Sequence, residues 1–206
     1  VGGMRFVETT GWFGDNAVYA EGSANPYIAE YRIFDVQSGR MLQDYFGTSF
    51  ATCGREAKVA YEVDTRYTLD KPGKSVEVND MPIYTVPAAS ADVYLSLRDL
   101  HWSSDCTLLA FIEIADTKTT FVVLHETTVE ARIPLQTNVV TGLDLTDTLD
   151  TFALRSTTGT FVYDKSSHTL HAAPEIEEQM RQRETKEARV VKDLGGRSAV
   201  LWRQRQ

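Results

Sequence analysis

The chain has 206 residues, 42% of them hydrophobic and 24% charged, with a formal net charge of −8 and a pI near 5.0. That length can bury a sizeable core without metal, disulfide or cofactor, and the composition is that of an ordinary globular protein, which excludes disorder along the whole chain. The basic residues form no long run before the C-terminal tail and no apolar stretch approaches the ~20 residues of a spanning helix, so neither a nucleic-acid groove nor a membrane span is expected.

The first residues, Val1-Gly2-Gly3-Met4, carry neither a signal peptide nor an initiator methionine and read as a processed or trimmed start. From Arg5 to about Leu170, short runs rich in Val, Thr, Tyr and Phe alternate with clusters of Gly, Asp, Asn and Ser, which predicts strands and tight turns. Alanines inside these runs mark a period: Ala20, Ala60, Ala110, Ala153 and Ala199 follow one another at 40, 50, 43 and 46 residues. Eight positions before them stand Trp12, Thr52, Trp102, Leu145 and Val191. Between each pair of marks lies a polar turn, as in Gly14-Asp15-Asn16, Gly54-Arg55-Glu56, Ser104-Asp105-Cys106, Thr146-Asp147-Thr148 and Gly195-Gly196-Arg197. Each unit therefore begins as a hairpin. A second hairpin follows in most of them, clearest at Tyr31 to Leu42 and at Phe161 to Leu170, present at Thr120 to Ile133, and poorer at Ser75 to Val86.

Four antiparallel strands per 40 to 50 residues is the composition of a propeller blade. The expected architecture is an all-β, propeller-like array with units at 4–46, 47–88, 91–136 and 138–173 and a fifth half unit at 189–206; a β-sandwich is the alternative. Five hairpin beginnings against four second halves leave ring closure open, since a closed ring needs an incomplete last unit or strands from elsewhere. Residues 174–188 break the β pattern. Pro174 near the start, no glycine, and acids before bases suit a helix and its dipole, with Ile176 and Met180 on a thin apolar stripe.

The run Leu100-His101-Trp102-Ser103-Ser104-Asp105-Cys106-Thr107-Leu108-Leu109-Ala110-Phe111 resembles the WD40-like β-propeller repeat of the TolB type, which commonly reads Trp-Ser-Pro-Asp-Gly before an Ile/Leu-Ala-Phe-like strand. Ser104 stands where that family prefers Pro, and Cys106 where it prefers Gly. The resemblance implies a fold and no particular activity. Its many extracytoplasmic examples imply a periplasmic or secreted location, with the cytoplasm as the alternative.

Candidate chemistry is sparse. Asp144, Asp147 and Asp150 place three carboxylates around one turn, of the oxygen-donor kind that hard cations take, but without the alternating pattern and glycine of a calcium loop. Asp147 also matches Asp15 and Asp105, where bonds to local backbone suffice. His168 and His171 are the only close histidine pair, and odd spacing on a strand sends them to opposite faces. His101, beside Trp102, suits a core or turn position, and His125 has no acidic or nucleophilic neighbour in sequence. Trp12, Trp102 and Trp202 read as core or inter-unit contacts. Cys53 and Cys106 lie in different units; one disulfide and two buried thiols are both open. No nucleophile elbow, phosphate loop or zinc motif occurs, so no catalytic residue, metal or cofactor is assigned. The expected function is a non-enzymatic interaction or ligand-binding module whose partner is a protein or small ligand. An enzyme with Asp and His residues in a central channel, or a structural portion of a larger propeller, are the alternatives.

Overall fold

Alternating apolar and polar residues, punctuated by Gly, Asn and Asp, give antiparallel strands joined by short hairpins. The computed structural model describes residues 4, 6–25, 28–64, 73–87, 94–135, 140–145 and 151–178. A seven-stranded sheet contains β1 (Phe6–Phe13), β2 (Ala17–Asn25), β3 (Ile28–Asp35), β4 (Met41–Cys53), β5 (Lys58–Asp64), β6 (Gly73–Val78) and β7 (Met81–Pro87) in chain order. A four-stranded sheet follows, with β8 (Leu95–Trp102), β9 (Leu108–Ala115), β10 (Lys118–His125) and β11 (Thr128–Leu135). The last sheet holds β12 (Val140–Leu145), β13 (Phe152–Ser156), β14 (Gly159–Asp164) and β15 (Thr169–Ala172). All pairing is antiparallel between strands adjacent in the chain, so the all-β expectation holds for the described residues.

The odd count of seven comes from β4, which serves two four-stranded meanders: up to Gly47 it pairs with β3, and from Thr48 it pairs with β5. The boundary expected between residues 46 and 47 therefore falls inside one strand. Gly47 is no turn residue there. A Cβ at that position would lie 2.4 Å from the Glu62 carbonyl oxygen, so glycine lets the two strands approach. The described residues thus form four meanders, here called units one to four, with β4 divided between the first two.

The first strands share a device. A bulge shifts the pairing by one residue between Val7 and Thr9, Thr48 and Ala51, Arg98 and His101, and Val140 and Gly142. Ser49 and Asp99 occupy it in units two and three with the same left-handed φ of 56°, and such bulges bend a strand and sharpen its twist. Beyond the bulge, Ala51, His101 and Asp144 face Ala60, Ala110 and Ala153 in register. Ala60 and Ala110 are buried in the cores toward the following unit. Ala20 departs from this plan. The first unit's turn has one residue fewer, between Phe13 and Ala17 rather than between Cys53 and Lys58, and it is Tyr19, not Ala20, that packs on the aromatic core.

Among the described residues three cores lie between the units. Between units one and two, Tyr31, Ile33, Tyr45, Val59 and Tyr61 are buried, with ring centroids 4.8 Å apart for Tyr19 and Tyr31 and 5.3 Å for Tyr31 and Phe50. Leu97, Leu109, Phe111 and Val122 meet Ala60 and Val76 between units two and three. Phe121 packs edge-on against Phe152 and Tyr163 between units three and four. A two-sheet sandwich has a single such layer, whereas here β4 lies against β8 and β8 against β12 in succession.

Cys53 and Cys106 are joined in a disulfide with Cα atoms 5.9 Å apart, which ties the end of β4 to the turn after β8. Lys58 reinforces the junction. Its ammonium donates to the Cys106 carbonyl at 3.1 Å and lies 5.4 Å from the centre of the Trp102 ring. A helix begins at 174 and is described to 178, with Ala173 and Ile176 buried against Ala153 and Val162. The remainder of the helix expected to 188, and the half unit expected at 189–206, lie outside the described residues. Among the described residues no helix is long and apolar enough to cross a membrane.

Candidate functional site

Of the three candidate metal-binding carboxylates, Asp144 contributes backbone to β12 opposite Ala153, while Asp147 and Asp150 lie outside the described residues. Among the described residues no group of three His, Cys, Asp or Glu side chains stands where it could hold a metal. The histidine pair is arranged differently from the strand expectation. His168 belongs to the turn before β15 with a left-handed φ of 54°, and its Nδ1 shares a hydrogen bond of 2.9 Å with the Tyr163 hydroxyl. His171 alone is on the strand, with Nε2 2.9 Å from the Thr169 hydroxyl. His101 lies within β8, and His125 ends β10 in an exposed position.

Buried carboxylates are the polar feature that periodicity did not single out. Glu62 on β5 accepts from the Lys74 ammonium on β6, from the Thr48 hydroxyl on β4, and from the Leu97 amide on β8 at 3.1 Å. Glu113 on β9 accepts from Arg132 on β11 and from the Tyr84 hydroxyl on β7. Each therefore has both oxygens engaged and binds unit two to unit three. Burial first, and then the neighbouring Glu113 carboxylate, hold the Tyr84 phenol well above its ordinary range. A catalytic carboxylate needs an oxygen available to substrate; these two are occupied in holding strands. The legible signal is an acid inside an apolar run, Tyr61-Glu62-Val63 and Ile112-Glu113-Ile114.

Turn aspartates do structural work at one end of the meanders. Asp35 accepts from the Ser38 amide at 2.7 Å and from its hydroxyl, and Asp164 does the same for Ser166 while also accepting from Ser167. Asp105 accepts from the Ser103 hydroxyl and from both the amide and hydroxyl of Thr107. These bonds favour the charged form. The Ser103 hydroxyl is the largest influence drawing Asp105 down to about 2, and Asp35 and Asp164 are likewise lowered by their serine partners.

A different kind of surface remains on unit one. Cross-strand partners share a face, and the face turned away from unit two carries the row Trp12, Val18, Phe34 and Met41, then Thr10, Ala20, Arg32 and Asp44, then Gly22, Glu30 and Phe46. Trp12 is 47% exposed, Met41 44% and Phe46 46%; Val7, opposite Gly22, is also exposed. Trp12, expected in a core or at an inter-unit contact, is thus half in solvent. Eight of the eleven exposed large hydrophobics among the described residues fall between Phe6 and Phe46. Glu30 lies within the same face, fully buried, with Oε1 accepting from Arg32 Nε at 2.6 Å and Oε2 unpartnered. Gly22 holds the face closed to β1, since a Cβ there would fall 1.7 Å from the Phe6 carbonyl oxygen. An apolar sheet face of this kind can bury area against another surface at ~25 cal/mol per Å2. No family model and no curated protein matches the chain.

Proposed function

We propose that the chain is an interaction module on a propeller-like scaffold, and that the outer face of unit one is its contact surface for a protein partner. The observation that carries the reading is that exposed Val7, Trp12, Met41 and Phe46 lie together on that one face. Interface cores favour Trp, Met and Phe in this way, and exposed apolar residues scattered singly need no such account. Four meanders, with the first strands of units two, three and four side by side, support the propeller-like scaffold, as does the resemblance of the Trp102 to Phe111 run to the TolB-type repeat. The bridge between Cys53 and Cys106 supports an extracytoplasmic location, because disulfides persist in oxidising compartments.

The test is affinity capture from an extract of the cells that make the protein, comparing the native chain with a Trp12→Glu, Phe46→Glu double variant whose circular dichroism is unchanged. The double variant is expected to lose the proteins that the native chain retains. Capture of the same set by both chains would remove the assignment.

A further inference from the structure

We propose that the outer face of unit one takes a basic partner, an apolar protein segment that sets an arginine or lysine against Asp44. This rests on the reading of that face as a contact surface and names the chemistry of what it takes. Asp44 is exposed, stands opposite Arg32 in the pairing of β3 with β4, and lies between Met41 and Phe46 along β4. Met41 and Phe46 are themselves about half exposed. Arg32 does not neutralise Asp44. Its guanidinium is held by Glu30 instead, with Nε 2.6 Å from Oε1. Among the described residues Asp44 has neither a hydrogen bond through its side chain nor an ion pair.

That placement restricts what can cover the face. A partner that buries Met41 and Phe46 also takes water from the carboxylate between them, and an uncompensated buried charge offsets much of the gain from the two apolar side chains. A cation on the partner turns the same desolvation into a charge-assisted contact. Arginine and lysine suit the site further, because their apolar stems can lie along Met41 and Phe46 while the charged head reaches Asp44. Charge over the whole unit points the same way. Residues 6–47 hold six acids and two bases, a potential that draws in a cationic surface and orients it. It also disfavours a second copy of the chain, since two-fold pairing would lay this acidic face on itself.

Selection from a random peptide library displayed on phage tests the proposal, run on the full native chain and on an Asp44→Arg variant whose circular dichroism is unchanged. Peptides that the native chain retains and the Trp12→Glu, Phe46→Glu variant releases are expected to carry arginine or lysine beside apolar residues. Synthetic copies of them are expected to bind the Asp44→Arg chain at least about tenfold more weakly. That chain is expected to select aspartate or glutamate in the same place. One charge preference shared by both chains would overturn this proposal and leave the contact surface standing. A library that yields no peptide released by Trp12→Glu, Phe46→Glu would overturn both readings. Sedimentation of the native chain as a dimer that those two substitutions dissociate would give the face to a second copy, and would overturn the proposal of a basic partner.

Discussion

Units one and three have the same four-stranded plan and the same first-strand bulge, yet they meet their surroundings differently. In unit three, Leu108 to Glu113 on β9 and Thr119 to Leu124 on β10 are buried on both faces, because unit two covers one side and unit four the other. Among the described residues unit one builds its aromatic core, Tyr31, Ile33 and Tyr45, on one side, and on the other Trp12, Met41 and Phe46 stay about half exposed. Burial on two faces demands near-continuous apolar strands, and Leu108-Leu109-Ala110-Phe111-Ile112 supplies one. The alternating Tyr31-Arg32-Ile33 of β3 builds a single core face. The comparison teaches that a strand's position in the stack decides which of its side chains are structural and which remain for contact.

The largest expected effect that sharpens the contrast is in unit three. Phe121→Ala is expected to cost about 3–5 kcal/mol in urea denaturation, from lost burial plus the cavity left behind. A cost below about 1 kcal/mol would break the claim that unit three is the packed centre. Removing one partner of a buried ion pair should be similarly severe. Lys74→Met leaves Glu62 charged and buried, at about 3–5 kcal/mol, and the double variant with Glu62→Leu is expected to recover much of the loss in a double-mutant cycle.

Next comes the disulfide that fastens unit three to unit two. In the chain-entropy account, opening a loop of 53 residues removes about 4 kcal/mol, read as a lower denaturation midpoint for the Cys53→Ala, Cys106→Ala variant. A smaller effect concerns acid. Asp105 has a lowered folded-state value of about 2 against an ordinary 3.8, so its contribution is full above pH ~4 and is lost as the pH falls toward 2. The stability difference between the native chain and Asp105→Asn is expected to shrink as the pH falls through that window and vanish below pH 2. A difference that grows on acidification would reverse the sign of this account. Least of all, Phe46→Ala on the open face of unit one should stay within about 0.5 kcal/mol.

Local signals made part of this legible. Val, Tyr and Phe runs separated by Gly-Asp-Asn or Ser-Asp-Cys fold as the hairpins that those residues suggest, because turn chemistry acts over three or four residues. Register between units is a longer-range property. Ala20 matched the spacing of Ala60 and Ala110 yet faces elsewhere, since one residue fewer in a turn moves the side chain to the opposite face. The boundary expected between residues 46 and 47 failed for a related reason: Gly47 lies inside β4 and admits the Glu62 carbonyl. Glu62 and Glu113 went unnoticed because their partners, Lys74, Tyr84 and Arg132, stand 12 to 29 residues away in sequence. Trp12 was read as a core or inter-unit contact because large aromatics favour burial, but whether a face is covered depends on what stands next to it in the stack.

The central claim is that the outer face of unit one is a contact surface rather than a solvated wall. Its most direct test is a photo-crosslinking phenylalanine analogue at position 46 of the full chain, followed by peptide mass spectrometry. The expected result is one defined adduct on a bound partner when extract of the cells that make the protein is present. Recovery of only the solvent-quenched probe with that extract present would contradict the claim.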